Sequence, residues 1–427
     1  MNQSQERIAI CISKISQYHS SIKHVFDEIY QQGGRVLLVG GAVRDCLLGC
    51  LNSDFDFEIY HLSFEELEYI LKKFGKVCFV GKSFGVLRLE GIDADWSIPR
   101  SDSVGRKPVV HLDPDMSFAQ AFRRRDLTIN AMGIDVASLE LIDPYDGVSD
   151  LGKKVLRSPD VTFFVQDPLR FFRVMQFVAR FDMHVDSVLT QVCQTMDLST
   201  ISIERIEQEL YKLFSKANHP SKGFLWLAKM DRLTDIFPAV RFDEQFYKRI
   251  DTIAQHYNFK SEQKIIVSFA LIAYGLQHDS LQHVHCADKI TVAQTQVING
   301  LLKQYITSHN VMHTAAMISW YIRYVPLIND VLACKWLAHW TESYFSLQFL
   351  ADVAACWYGS EISEKFIQLA KHAKVLHHAE EPLLQGQDLL DYAQGKELGE
   401  LIKKAYALQL QDSIHDKAKL LKNVLKK

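Results

Sequence analysis

Long apolar runs are missing from this chain. Nothing in its 427 residues approaches the roughly 18 consecutive apolar positions of a membrane-spanning helix, so no membrane partner is expected. Neither sign of charge dominates. The 48 Lys and Arg stand against 51 Asp and Glu, a net charge of −3, which excludes a uniformly basic nucleic-acid binder and leaves only a local basic patch for a polyanion. Glycine and proline are modest at 20 and 10, and there is no tandem repeat or low-complexity tract, so collagen-like, mucin-like and disordered classes fall away. The N-terminal stretch MNQSQERIAICISKISQYHS has neither a signal-peptide core nor the arginine content of a transit peptide. The 8 Cys lack the spacing of a disulfide scaffold, and read as free thiols of a reducing cytoplasm.

What is present is 48% hydrophobic with 25 Phe, ample for a packed core over about two to three domains. Residues from about 5 to 32 have helical period and end at Gly33-Gly34. Arg35–Gly41 then reads as a buried strand entering a glycine turn, and Ala42–Gly49 as a short helix. Asp54–Tyr60 alternates like a strand, Phe64–Gly75 is an amphipathic helix, and strand candidates follow at 78–81, 86–91 and 93–98. After Pro168 nearly everything to Lys427 has helical period. The expectation is an α/β head followed by all-α segments, with polar or Pro-containing punctuation near 220 and 375.

Four groups of residues carry chemistry. At Leu38-Val39-Gly40-Gly41-Ala42-Val43-Arg44-Asp45 a strand runs through two glycines into a helix. Glycines let the backbone approach a polyphosphate, the helix N-terminus offers free N–H groups, and Arg44 adds charge; a tight turn with Arg44 in an ion pair accounts for the same letters. In Asp54-Phe55-Asp56 the carboxylates at i and i+2 share one strand face while Phe55 and Phe57 point to the other. Adjacent like charges call for a cation, and hard oxygen donors suit Mg²⁺ with a nucleotide, with Asp95, or less readily Asp93, as a third carboxylate; an acidic strand edge is the plainer alternative. Arg124-Arg125-Asp126-Leu127-Thr128-Ile129-Asn130 groups a basic pair, a carboxylate and an amide suited to ribose hydroxyls and phosphates, or to a helix start with a solvated arginine cluster.

The fourth group is Gln166-Asp167-Pro168-Leu169-Arg170-Phe171-Phe172-Arg173. Pro168 fits the first helical position, which makes Asp167 a natural N-cap. The same Asp167 acceptor beside an Arg170 donor also matches the Watson–Crick edges of C and A, which both offer an amino donor next to a ring-nitrogen acceptor. U and G present the reverse order, so one fixed pair accepts C and A and rejects U and G.

The order of these groups, with Asp143-Pro144-x-x-Gly147 and Glu204-Arg205-Ile206-x-x-Glu209-Leu210, resembles the class II tRNA nucleotidyltransferase/poly(A) polymerase family. The C-terminal Pro382–Leu389, Gly395-x-x-Leu398-Gly399 and Ala405-Tyr406-x-x-Gln409 are similar to the tail of bacterial tRNA nucleotidyltransferases. The resemblance implies an N-terminal helical lead-in (1–33), a polymerase-β-like head (34–155), a helical neck that reads the base (156–220), a body (221–374) and a tRNA-binding tail (375–427). It implies metal at Asp54 and Asp56, with Asp95 completing the catalytic carboxylates. It also implies nucleotide contacts from Gly40, Gly41, Arg44, Arg124, Arg125, Asp126, Asn130, Asp167, Arg170 and Arg173. Mg²⁺ is then the cofactor, the tRNA 3′ end, CTP and ATP the partners, and C, C, A addition the activity, with poly(A) polymerase or partial CC- or A-adding enzyme as alternatives. No stable protein partner is predicted. Gln166 departs from the glutamate usual in the family.

A loop at Pro99–Pro108, with Arg100 and Asp102, corresponds to the family's flexible loop tied to the final A. His278-Asp279 resembles the metal-binding pair of phosphohydrolases but lacks a following Gly-Lys and an upstream His. His283-x-His285-Cys286 lacks a second ligand pair. Lys403, Lys404, Lys417, Lys419, Lys422, Lys426 and Lys427 suit either a phosphate backbone or a solvated face.

Overall fold

The computed structural model describes residues 3–18, 21–50, 55–79, 85–102, 110–238, 240–276, 290 and 292–426. Two helices open the chain, α1 (Gln3–Tyr18) and α2 (Ile22–Gln31), where the sequence suggested one. The apolar phase runs on from Ile15 to Ile22, both fully buried, about two helical turns apart, so periodicity alone does not reveal the break. The first strand, β1 (Arg35–Val39), leads through Gly40 into α3 (Gly41–Leu48), which ends at Gly49 in the left-handed region with φ +77°. There follow β2 (Phe55–Tyr60), α4 (Phe64–Lys72), β3 (Val77–Phe79), β4 (Val86–Leu89) and β5 (Ala94–Ser97).

Arg100–Asp102 is not loop but strand β6, paired antiparallel with β7 (Val110–Leu112) in the register Arg100↔Leu112 and Asp102↔Val110. The β-branched and apolar residues of β7 supply a partner strand that the Ser, Gly and Pro content between them conceals. Then come α5 (Phe118–Arg123), a single 3₁₀ turn at Thr128–Asn130, β8 (Gly133–Asp135), β9 (Leu141–Ile142) and α6 (Gly147–Lys153). Among the described residues seven strands form one sheet in the order β3-β4-β5-β2-β1-β8-β9. It is mixed, since β2 runs parallel to β5 and antiparallel to β1.

Strand alternation sorts the two faces of this sheet. Phe57 points to one, where its ring meets Phe26 of α2 at 5.1 Å and Trp96 of β5 at 4.9 Å. Leu37, Val39 and Tyr60 point to the other, packed against Phe122 and Ala121 of α5 and Met116. Asp56 and Glu58 belong to this second face, because they stand opposite Val39 and Leu37 in the β1–β2 register. Helical α7 (Val161–Phe164), α8 (Leu169–Phe181) and α9 (Ser187–Thr195) follow, but the segment expected to be all helical also pairs β10 (Val155–Leu156) in parallel with β11 (His184–Val185).

The chain divides into two compact units, Met1–Ile201 with Lys229–Asp231, and Ser202–Ala228 with Arg232–Lys427. The division falls inside the segment expected to be the neck. In the second unit every described helix or strand is helical: α10 (Ile203–Lys216), α11 (Ser221–Lys229), α12 (Leu233–Ile236), α13 (Glu244–Gln255), α14 (Ser261–Tyr274), α15 (Val292–Leu302), α16 (His309–Tyr321), α17 (Val331–Thr341), α18 (Leu347–Tyr358), α19 (Ser360–His372), α20 (Gly386–Leu389), α21 (Gly395–Gln411) and α22 (Lys417–Val424). The C-terminal motif residues hold this unit together. Buried Gln409 accepts from Leu383 N at 2.8 Å and donates to Glu381 O at 2.9 Å, and Tyr406 donates its hydroxyl hydrogen to Glu380 O at 2.8 Å. Lys404 donates to Val424 O at the end of α22, and Lys417 pairs with Asp388 at 2.7 Å, so part of the lysine set serves packing. Lys419, Lys422 and Lys426 are exposed. Among the described residues no helix is long and apolar enough to cross a membrane.

Candidate active site

The site begins where β1 ends. Gly40 has φ +74°, a conformation that side chains rarely adopt, and a Cβ built there would lie 2.6 Å from Arg125 Nη1 and 3.4 Å from Asp56 Oδ2. Only glycine therefore leaves the space between that guanidinium and that carboxylate open. Asp56 is exposed at the start of β2, and Asp95 stands beside it in the parallel β2–β5 register, so both carboxylates lie on the same sheet face. Asp95 pairs with Arg88 of β4. Asp54 lies outside the described residues.

Glu58, two residues on from Asp56 on the same face, is a carboxylate that the sequence reading passed over. It is 1% exposed, accepts from Tyr60 Oη at 2.7 Å and lies 3.9 Å from Arg125 Nη2. Burial and the neighbouring Glu58 charge push the Tyr60 hydroxyl well above its ordinary range, so it stays a donor. The period-two alternation that marks Asp54 and Asp56 also includes Glu58 and was signal enough to find it.

The donor set at Asp56 suits a hard divalent cation: carboxylate oxygens near the start of β2, side by side across two strands, and a cradle that a Cβ at Gly40 would fill. Among the described residues no group of three or more His, Cys, Asp or Glu is placed to hold a metal.

Arg44 does not point outward. It is 4% exposed, donates from Nε and Nη2 to Asp45 Oδ1 at 2.9 and 2.7 Å and from Nη1 to Asn130 Oδ1 at 2.5 Å, and stacks on Phe177 and Phe181 of α8. Asn130 donates to Asp126 Oδ1 at 3.0 Å, and Arg173 Nε donates to Asp126 Oδ2 at 2.6 Å. A continuous polar chain, Asp45–Arg44–Asn130–Asp126–Arg173, thus joins the glycine turn, the 3₁₀ turn and α8. Burial raises the Asp126 carboxyl, but Arg173 and Asn130, with Arg170 behind them, outweigh it and hold the group at about 2.

A carboxylate depressed in this way stabilises the fold above its unfolded value near 4, and that contribution disappears as pH falls toward 2. Denaturant titrations should show the wild-type advantage over Asp126→Asn shrinking by roughly 1 kcal/mol between about pH 5 and pH 3. A difference that stays constant over this range would mean that Asp126 is not held as an ion.

Farther along, α8 begins at Leu169 with Pro168, not Asp167, at the N-cap position; Asp167, one residue earlier, still makes a cap-like contact, its Oδ1 accepting from Leu169 N at 3.2 Å. Arg170 lies at the same helix start, its guanidinium fixed by Phe163 O at 2.6 Å and Arg124 O at 2.7 Å. Asp143 accepts from Gly147 N and Val148 N at 2.7 and 2.9 Å, and a Cβ at Gly147 would lie 2.3 Å from Thr128 O, so this motif packs α6 against the turn that carries Asn130. Gly40, Arg125 and Asp56 thus meet at one point, and Arg124, Asp126, Asn130, Arg170 and Arg173 form a second cluster within the same compact unit. Gly41 opens α3 beside Arg44. His278, Asp279, His283, His285 and Cys286 lie outside the described residues.

Residues 36–157 match the family model described as Poly A polymerase head domain. The "Multifunctional CCA protein" of Nitrosospira multiformis is 31% identical over 214 residues, 48% of this chain and 50% of that protein. The chain spans about half the length of several of the curated relatives it matches. Among solved structures, a CCA-adding enzyme with CTP superposes with a TM-score of 0.67 at 20% identity, covering 98% of this chain and 97% of that one. A Thermotoga maritima CCA-adding enzyme complexed with tRNA superposes with a TM-score of 0.61 at 20% identity over 94% and 93%. At this identity the likeness concerns the fold, an α/β head followed by a helical remainder. The resemblance drawn from the order of the motifs is matched over the head.

Proposed function

We propose that this chain adds C, C and A to the 3′ end of tRNA without a nucleic-acid template, by nucleotidyl transfer from CTP and ATP in a reducing cytoplasm. The observation that carries this reading is the meeting of Asp56, Gly40 and Arg125 at the end of β1, in one compact unit with the Asp126–Arg173 and Asp167–Arg170 groups of α8. The RNA 3′-hydroxyl attacks the α-phosphorus, and pyrophosphate leaves. Asp56, with Asp54 two residues before it and Asp95 alongside, is the set that would hold Mg²⁺. When bound, Mg²⁺ supplies activation of the attacking oxygen and neutralisation of the leaving charge.

The remaining roles fall to side chains. Arg125, beside the bare Gly40 backbone, meets the triphosphate. Asp126 and Asn130 present fixed polar groups to the sugar, with Arg124 and Arg173 supporting them. Arg44 is a positioning residue, since its guanidinium is engaged inside the unit by Asp45 and Asn130. Arg170 is locked by two carbonyls next to Asp167, a preorganised donor and acceptor pair for the shared edge of C and A. The two roles of Asp167 are compatible, since a carboxylate has acceptor capacity beyond one cap contact. The tail, 375–427, with its exposed Lys419, Lys422 and Lys426, holds the tRNA body.

A tRNA lacking its three terminal nucleotides and an unstructured RNA should be offered side by side. The reading predicts extension of the tRNA alone. Asp167→Ala should in addition admit UTP and GTP while costing about 1 kcal/mol of stability from the lost cap. A long A tail on the unstructured RNA would make the chain a poly(A) polymerase, and unchanged base selectivity in Asp167→Ala would reduce that residue to its cap.

A further inference from the structure

The second unit contains a cavity of about 440 Å³ whose charge does not balance. Among the described residues its lining includes Arg241, Arg249 and Arg323 and a single carboxylate, Asp243. That carboxylate is engaged twice, with Arg241 Nε at 3.2 Å and with Phe246 N at 2.9 Å as the cap of α13. The other two guanidiniums converge on one ring: Arg323 lies 4.2 Å and Arg249 5.5 Å from the centre of Tyr274. Arg323 is anchored by donation to Tyr274 O at 3.0 Å. Arg249 Nε is buried with no acceptor among the described residues. Burial lowers the pKa of Arg323, and the surrounding tyrosines 274, 358 and 324 oppose that shift.

Two like charges held at one aromatic ring, partly out of water and with no carboxylate paired to either among the described residues, are costly unless something negative joins them. The rest of the wall is fixed: Arg241 N donates to Gly275 O at 2.8 Å, and Val240 bridges Leu276, so the cavity is a built feature and not a gap between loose side chains. Planar guanidinium forks match the oxygens of a tetrahedral oxyanion, and arginine prefers such bidentate partners. We propose that Arg249 and Arg323 form a phosphate-binding site in the helical unit, distinct from the nucleotide site of the head. The phosphate comes either from the RNA backbone, a source that rests on the tRNA reading above, or from a free phosphate or pyrophosphate.

The test uses the full chain with Arg249→Gln, Arg249→Lys and, as a control, Lys248→Gln, an exposed residue one position away on the same helix. Binding of 3′-truncated tRNA is measured across a KCl series, binding of inorganic phosphate and of pyrophosphate by calorimetry, and nucleotide addition at saturating tRNA alongside. For the RNA source, Arg249→Gln should bind tRNA about 3- to 10-fold more weakly at low salt, with a salt slope smaller by about one, while Arg249→Lys retains part of the affinity. For the free source, tRNA binding stays as in wild type while phosphate or pyrophosphate binding is lost. The proposal is overturned if all three bindings match wild type, or if Lys248→Gln moves them as much as Arg249→Gln. A wild-type chain that binds phosphate through Arg249 but adds nothing to tRNA would remove the tRNA reading and leave the phosphate site standing.

Discussion

Asp56→Ala should lose at least about a thousandfold in nucleotide incorporation, with tRNA affinity changed little. The carboxylate borders the space that Gly40 leaves open beside Arg125, on the face shared with Asp95. Removing it takes away a donor to the cation that this site would hold, whose charge stabilisation would be worth several kcal/mol, and each 1.4 kcal/mol or so is tenfold in rate. Asp54→Ala is expected to behave alike, being the other member of the pair. Single-turnover incorporation with saturating tRNA separates this from weakened RNA binding. Near-normal turnover in Asp56→Ala would remove the catalytic assignment, whatever happens to affinity.

Arg44→Ala should be the most destabilising of the site substitutions, by about 3–5 kcal/mol in denaturant unfolding of the chain. The guanidinium is the centre of a buried network. Without it Asp45 loses two donors and Asn130 loses one, and the rings of Phe177 and Phe181 lose the cation beside them. Arg180 lies 3.6 Å from Asp45 Oδ2 and can offset only part of that loss. Arg44→Lys should recover little, because one ammonium cannot reach both Asp45 and Asn130 with the geometry of a planar fork. If Arg44→Ala unfolded like wild type but had a sharply raised KM for CTP and ATP, the residue would be a phosphate contact after all.

Arg44 shows where a sequence stops being legible. The letters Gly-Gly-x-Val-Arg-Asp mark a strand, a turn and a helix, and all three are found where the pattern puts them. Which way a long side chain turns depends on partners far along the chain: Asn130 and the Phe177–Phe181 pair lie 86 or more positions away, and no local period connects them. Asp56 was readable because a strand's alternation fixes its face from its neighbours Phe55 and Phe57. The same rule contained Glu58, whose burial under Tyr60 hides it among apolar residues. Short strands escaped for another reason. β8, β9, β10 and β11 have two or three residues each, too few for alternation to register, and their pairing is decided by tertiary contact. Asp167 accepts from Leu169 N and Arg170 is held by backbone carbonyls, so the residues of the helix-start signature are also those of the proposed recognition pair. For that reason the residues leave both readings of the motif standing, and only selectivity separates them.

The central claim is that side chains of one site choose C twice and then A. Its most direct measurement is to incubate the purified chain with a tRNA lacking the three terminal nucleotides, all four NTPs and Mg²⁺, and to sequence the 3′ ends of the products. The account predicts a single product ending in C-C-A, without U or G and without further extension. Products that stop at C-C with ATP present, that grow only from a C-C end, or that carry runs of A would contradict it.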